Sequence, residues 1–160
     1  MSDADLMNKL GMKIPEELRA PEAGPRTKLV LIIDDELSII QLLVRFFKKD
    51  FPEVSVETAQ DGFEAGLKVQ NLTPDLILLD LKLPGQDGFE VCKKIKNLPH
   101  LANAKVVAIT GVMDSWAHRR ILKLGAAECL LKPFDFKEFK EKMKFYLEPK
   151  SKPNSEREAA

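Results

Sequence analysis

The chain has 160 residues, with 25 lysines and arginines set against 25 aspartates and glutamates. That length suits one domain with a single well-buried core and leaves no room for two substantial ones. Nothing in the balanced charge argues for a nucleic-acid or membrane surface, and no apolar run reaches the roughly 20 residues that span a bilayer.

In chain order, the first segment stands apart. Met1 to Leu10 carries acids and lacks the basic start and apolar stretch of an export signal, so the cytoplasm is the expected location. Asp3 to Leu10 can form a short helix, but Gly11, Pro15, Pro21, Gly24 and Pro25 break any regular pattern beyond it, so residues 1–27 read as an arm or linker. From residue 28 to 149, short apolar runs alternate with helical patterns five times. The expected strands are Lys28–Ile33, Val54–Thr58, Asp75–Leu79, Lys105–Ile109 and Ala127–Leu131, their continuous hydrophobicity indicating cover on both faces.

The helices between them carry one-sided apolar stripes. These are Leu37, Ile40, Val44 and Phe47; Phe63 and Leu67; Phe89, Cys92 and Ile95; Ala117, Ile121 and Leu124; and Phe136, Phe139, Met143 and Tyr146. Asp61, Asp114 and Asp135 stand where N-caps belong, and Gly125 where a left-handed helix end is wanted. Residues 150–160 are polar, contain Pro153 and read as a frayed tail. Cys92 and Cys129 lie in apolar segments without metal-ligand spacing and fit buried small hydrophobes of a reducing compartment.

Such βα alternation with short connections predicts an α/β fold, a parallel sheet with helices on both faces. Its ligands bind beyond the carboxyl ends of the strands. There the pattern places Asp34, Asp35 and Glu36 after strand one, Asp80 after strand three, Thr110 after strand four and Lys132 after strand five. Carboxylates gathered on one rim repel one another, and a hard divalent cation relieves this; oxygen-only ligation favours Mg²⁺ over zinc. With that charge neutralised, one carboxylate can attack phosphorus, while a hydroxyl and an ammonium bind the phosphoryl oxygens. Each residue alone reads as a cap, a turn or a solvated side chain. Their joint occurrence at four strand ends points to phosphoryl chemistry.

Four segments carry a resemblance to a known family: Val30-Leu-Ile-Ile-Asp-Asp-Glu36, Asp75-Leu-Ile-Leu-Leu-Asp-Leu-Lys-Leu-Pro-Gly-Gln-Asp-Gly88, Val106-Val-Ala-Ile-Thr-Gly111 and Leu124-Gly-Ala-Ala-Glu-Cys-Leu-Leu-Lys-Pro-Phe134. Together they resemble a response-regulator receiver domain of two-component signalling, CheY-like, over about Lys28 to Pro149. The resemblance implies a doubly wound (βα)5 flavodoxin-like fold with a five-stranded parallel sheet in the order 2-1-3-4-5. It implies that Asp80 is the phosphoacceptor and that Mg²⁺ is the cofactor. Asp35, Asp80 and the Lys82 backbone carbonyl would bind the metal directly, and Asp34 mostly through metal-bound water. Thr110 takes the place of the switch hydroxyl and Lys132 that of the lysine paired with the acceptor. Lys132–Pro133 is expected to be cis, and Pro84, Gly85 and Gly88 to make the turn after the acceptor.

The same resemblance implies a histidine kinase or a histidine phosphotransfer protein as phosphoryl donor, and a signalling switch rather than a turnover enzyme. Its output face would be helix four, strand five and helix five, meeting an effector protein or a second copy of the chain. Three features depart from the family pattern. Cys129 replaces the aromatic usual three residues before the lysine, so output is expected to rely on reshaping the 110–114 loop and the fourth helix. Lys82 and Val112 flank the approach of water, which predicts slow loss of the phosphoryl group. No output domain is expected after the fifth helix.

Other readings predict other residues. A haloacid-dehalogenase-like phosphatase also uses an Asp nucleophile with Mg²⁺, but wants a second Asp where Lys82 stands. A flavodoxin-like electron carrier needs a phosphate-binding loop after strand one, where this chain has Asp34-Asp-Glu. A degenerate receiver that is never phosphorylated would have lost chemical positions that are intact here. Trp116 reads as a partly packed surface aromatic, His100 and His118 as lone histidines, and Arg119, Arg120 and Lys123 as a wet helix face too small to predict contact with nucleic acid.

Overall fold

A computed structural model describes residues 27–111 and 114–148. The expected arm and tail lie outside these residues except for Thr27, as does Val112. Five strands, β1 (Leu29–Ile33), β2 (Ser55–Ala59), β3 (Leu76–Asp80), β4 (Lys105–Thr110) and β5 (Glu128–Leu131), form a parallel sheet in the order β2-β1-β3-β4-β5. They alternate with α1 (Leu37–Asp50), α2 (Gly62–Asn71), α3 (Gly88–Lys96), α4 (Ser115–Lys123) and α5 (Phe136–Leu147). The order reverses direction at β1 and β3, so the crevice of a doubly wound sheet opens above their carboxyl ends.

Strand character follows position in the sheet. The central strands β1, β3 and β4 are buried almost throughout because helices cover both faces, whereas the edge strand β2 alternates exposed and half-buried residues. On one face α1 and α5 pack Phe46, Phe47, Phe51 and Phe139 against Ile32, Leu78 and Val107, with edge-to-face ring contacts such as Phe46–Phe139 at 5.0 Å. On the other, α2, α3 and α4 cover Leu31, Ile33, Leu79 and Val106.

The helix signals hold at most ends. Asp61, Asp114 and Asp135 accept hydrogen bonds from the first-turn amides of α2, α4 and α5, and Asp87 does the same for α3. Gly125 has φ +108° after α4, and Lys132–Pro133 is cis. Strand limits differ by at most one residue from those the sequence predicts, most usefully at β3 and β4, where Asp80 and Thr110 are the last strand residues rather than the first beyond it. Backbone pairing of β3 with β4 reaches Asp80 itself, which fixes that carboxylate on a rigid element.

One stripe faces the other way. Phe63 and Leu67 do not meet the core: they are 72% and 49% exposed, and the buried positions of α2 are Gly62, Ala65 and Val69. Helical spacing fits both sets, and here the small residues face inward. Leu37 also lies outside the seam of α1, which is made by Ile40, Leu43, Phe46 and Phe47. A short antiparallel ribbon that the sequence does not announce, Lys82–Leu83 with Gln86–Asp87, comes directly after β3. Pro84 and Gly85 turn it, and the Gly85 φ of +70° is the conformation a type II turn asks of its third residue.

Candidate functional site

The end of β1 sets the first carboxylate. Asp34 continues the strand, its amide donating to the Ala59 carbonyl at 3.0 Å. Its Oδ1 accepts the Glu36 amide at 2.9 Å, and its Oδ2 accepts Lys132 Nζ at 2.9 Å. Asp35, next along the chain, is exposed at the rim. From β3, Asp80 Oδ1 accepts the Lys82 amide at 3.0 Å, while Oδ2 lies 3.3 Å from Lys132 Nζ. Lys132 therefore bridges two carboxylates from different strands, and Glu36 Oε1 stands 3.7 Å from the same ammonium. Thr110 closes β4 opposite Leu131, its carbonyl accepting the Lys132 amide at 2.8 Å.

Burial singles these groups out. Among the described residues, the buried polar or charged ones are Asp34, Asp80 and Thr110, at 1%, 4% and 8% exposure. Burying charge is costly unless it is paired, so three such residues at one rim of an otherwise apolar core mark a site that stability alone does not demand. Burial pushes the Asp80 carboxyl up to about 6; the Lys82 amide opposes this, the charge of Asp34 adds to it, and Lys132 counters it. Burial by itself would lower Lys132, but its bonds and attraction to Asp34 and Asp80 carry it above the usual lysine range.

Asp34, Asp35 and Asp80 each offer a carboxylate oxygen, all within 4.8 Å of one another. An oxygen-only set of this size suits a hard divalent cation that keeps some of its waters. Three carboxylates beside a single ammonium leave net negative charge at this rim, which fits a cation there.

The turn after Asp80 depends on Gly88. Its amide donates to the Leu81 carbonyl at 3.2 Å, and a Cβ there would stand 2.5 Å from Leu81 Cα and 2.6 Å from Leu81 O. Those atoms are backbone and adjoin Asp80, so they cannot swing aside. Gly88→Ala is expected to cost about 1–3 kcal/mol, the range for overpacking, and to slow phosphorylation by displacing Leu81. Urea unfolding checks the first effect; an unchanged midpoint would show that the turn relaxes freely.

The structure thus brings Asp34, Asp35, Asp80, Lys132, Thr110 and the Lys82 backbone to one rim. Glu36, seen in the sequence only as part of the acidic run, joins the ion pairs of Lys132. Trp116 is exposed on α4 and stacks on Phe89 at 6.3 Å, with the Arg120 guanidinium 4.4 Å from the Phe89 centroid. His100 is tied down by a 2.7 Å contact from Nε2 to the Val69 carbonyl.

A doubly wound sheet with Asp34 and Asp80 joined through Lys132 at its switch point places the chain among the α/β proteins whose site lies beyond the carboxyl ends of the strands. The family model "Response regulator receiver domain" matches residues 30–144, and the chain belongs to that family. It is 35% identical over 122 residues to sporulation initiation phosphotransferase F of Bacillus subtilis, covering 76% of this chain and 95% of that protein. It is 38% identical over 106 residues to the response regulator PleD of Caulobacter vibrioides, covering 66% of this chain. The chain spans about a quarter of PleD, 23% of its length. Among solved structures, the signal receiver domain of a DNA-binding response regulator from Colwellia psychrerythraea superposes with a TM-score of 0.73 at 34% identity, covering 76% of this chain and 99% of that one. The fold expected from the sequence, including the strand order, is the one observed.

Proposed function

We propose that the unit spanning residues 28–149 accepts a phosphoryl group on Asp80 and uses it as a reversible switch. The observation that carries this reading is the concentration of buried charge at the switch point: Asp34 and Asp80 joined through Lys132. An Asp80 oxygen attacks the phosphorus of a phosphohistidine donor. The P–N bond breaks, its electron pair leaves on the imidazole nitrogen, and a P–O bond forms to the carboxylate. The carboxylate is held for this by the Lys82 amide on Oδ1 and the Lys132 ammonium on Oδ2. Lys132 and the Thr110 hydroxyl receive the phosphoryl oxygens as charge develops.

Asp35, Asp80 and the Lys82 carbonyl are the groups to hold Mg²⁺, which when bound supplies charge neutralisation for phosphoryl transfer. Both Asp34 oxygens already have partners within the protein, Glu36 N–H and Lys132 Nζ. That supports a role for Asp34 at one remove, through water.

The donor is a histidine kinase or a histidine phosphotransfer protein, in the cytoplasm. The output face is made by α4, β5 and α5, where Leu122, Leu131 and Phe145 are exposed large hydrophobics; an effector protein or a second copy of the chain would meet it. A phosphatase reading is disfavoured because the position two beyond the acceptor holds a lysine and no second acid. Among the described residues, no helix is long and apolar enough to cross a membrane.

The test is incubation with acetyl phosphate or beryllofluoride and Mg²⁺, read by intact mass and by the emission of Trp116. One phosphoryl adduct is expected. Its half-life should be minutes or longer, because the long exposed side chain of Lys82 hinders an in-line water. Hydrolysis within seconds would remove that part of the reading. With Cys129 buried beside Ala108 in the sheet, signal is expected to leave through the 110–114 loop and α4. Cys129→Tyr should then leave effector affinity unchanged in both states.

A further inference from the structure

Between α2 and α3 runs an open trough of about 490 Å³, on the opposite side of the sheet from α1 and α5. Its apolar wall is built by Phe63, Leu67, Val91, Ile95 and Leu98, and its floor is open at Gly66, where a Cβ would meet nothing within 4 Å. Scattered exposed hydrophobics are ordinary, but a large aromatic and a leucine one helical turn apart, flanking a concave apolar surface, are the mark of a docking site. The lining carries no acid, and its one charged side chain is Lys94.

We propose that this trough is the docking site of the chain's own N-terminal segment, residues 3–14. That segment offers Leu6, Met7, Leu10, Met12 and Ile14, preceded by Asp3 and Asp5. Leu6 and Leu10 share one face if the segment is helical, and methionines fill irregular gaps well. With Lys9 and Lys13 the segment is neutral overall, so its apolar residues carry the match, and Asp3 and Asp5 can lie near Lys94.

Geometry favours the same occupant. The described chain starts at Thr27, and β1 begins beside the exit of α2: the Leu29 amide donates to Asp75 Oδ2 at 2.8 Å, and the Asp75 amide to the Leu29 carbonyl. Asp75 comes soon after α2 ends, and α2 forms one wall of the trough. Residues 15–26 can reach about 40 Å when extended, ample to bring the segment back along α2. Such a tether gives an effective concentration on the order of millimolar, so weak intrinsic affinity suffices. The other terminal stretch, residues 149–160, has no leucine, isoleucine, valine, methionine or aromatic residue and comes after α5 on the opposite face.

Docking there would touch the switch. Gln86 lines the trough and belongs to the ribbon that starts at Lys82, and its side chain lies so close over Gly62 that a Cβ there would fall 1.8 Å from Oε1. The proposal stands whether or not Asp80 is the acceptor.

Methyl NMR on the full chain tests it, with Leu6→Asp/Leu10→Asp as the arm variant and a spin label carried by Ser2→Cys. Both native cysteines are buried, which directs the label to position 2. The label should bleach the methyls of Leu67, Val91, Ile95 and Leu98 several-fold while sparing Leu43 and Ile109 on the other face. Leu67→Lys, at an exposed position, should restore those signals, as should the arm variant. Unbleached groove methyls in the labelled chain would overturn the proposal. So would bleaching that passes from labelled to unlabelled molecules in a mixture, since the occupant would then be a second copy.

Discussion

Asp80→Asn should take up no phosphoryl group from acetyl phosphate in the presence of Mg²⁺, while the unsubstituted chain gains one. The replacement keeps the size of the side chain and leaves an oxygen able to accept the Lys82 amide, now 3.0 Å from Oδ1. It removes the anionic oxygen that faces Lys132, which is the nucleophile of the proposed transfer. The fold should survive, because one buried negative charge and its repulsion with Asp34 disappear together, and the burial that raises the Asp80 carboxyl to about 6 no longer acts against an ion. The Asn chain is therefore expected to be at least as stable to urea as the parent without divalent ions. A mass gain in this variant would place the acceptor elsewhere, and an unfolded one would leave the loss of uptake without meaning. Intact mass and urea midpoint, measured together, separate these outcomes.

Much of this site is legible in the sequence because strand and helix periods differ sharply. The apolar runs ending in Asp34, Asp80, Thr110 and Lys132 each deliver a polar residue to the same edge, and a parallel sheet gathers those edges whatever the details of its packing. What pattern could not supply was the network within the rim. Lys132 is expected opposite Asp80 from the sequence, but that it would also reach Asp34, with Glu36 at 3.7 Å, depends on the direction of a long side chain across strands far apart in sequence.

The reversed face of α2 has a different cause. Gly62, Ala65 and Val69 face the sheet and Phe63 and Leu67 face out, although the larger residues carry the stronger hydrophobic signal. Spacing in a ten-residue helix fits two faces equally, and the small residues Gly62 and Ala65 are the ones packed inward. The ribbon itself leaves no sequence pattern because its strands are two residues long, too short for alternation to register.

Lys132→Met should weaken the protein most when divalent ions are absent, and Mg²⁺ should recover more stability in the variant than in the parent. The lysine side chain is largely buried, as are its partners Asp34 and Asp80. Removing one member of such a cluster ordinarily costs roughly 3–5 kcal/mol, since buried charge is left uncompensated. Here the loss should fall nearer ~2 kcal/mol, because Asp80 can take a proton near neutral pH and give up its charge, at about 1.4 kcal/mol per pH unit. Methionine keeps the volume of the lysine stem, so packing contributes little to the difference. The ammonium and a cation would offset the charge of the same carboxylate cluster; without the ammonium, a cation would be its main compensation and should be held more tightly. Phosphorylation should still slow by about 10²–10³, the usual consequence of deleting one stabilising donor. Urea midpoints with and without Mg²⁺ decide the matter. Equal Mg²⁺ increments in the two proteins, or a variant as stable as the parent without the ion, would show that Lys132 does not hold the two carboxylates together.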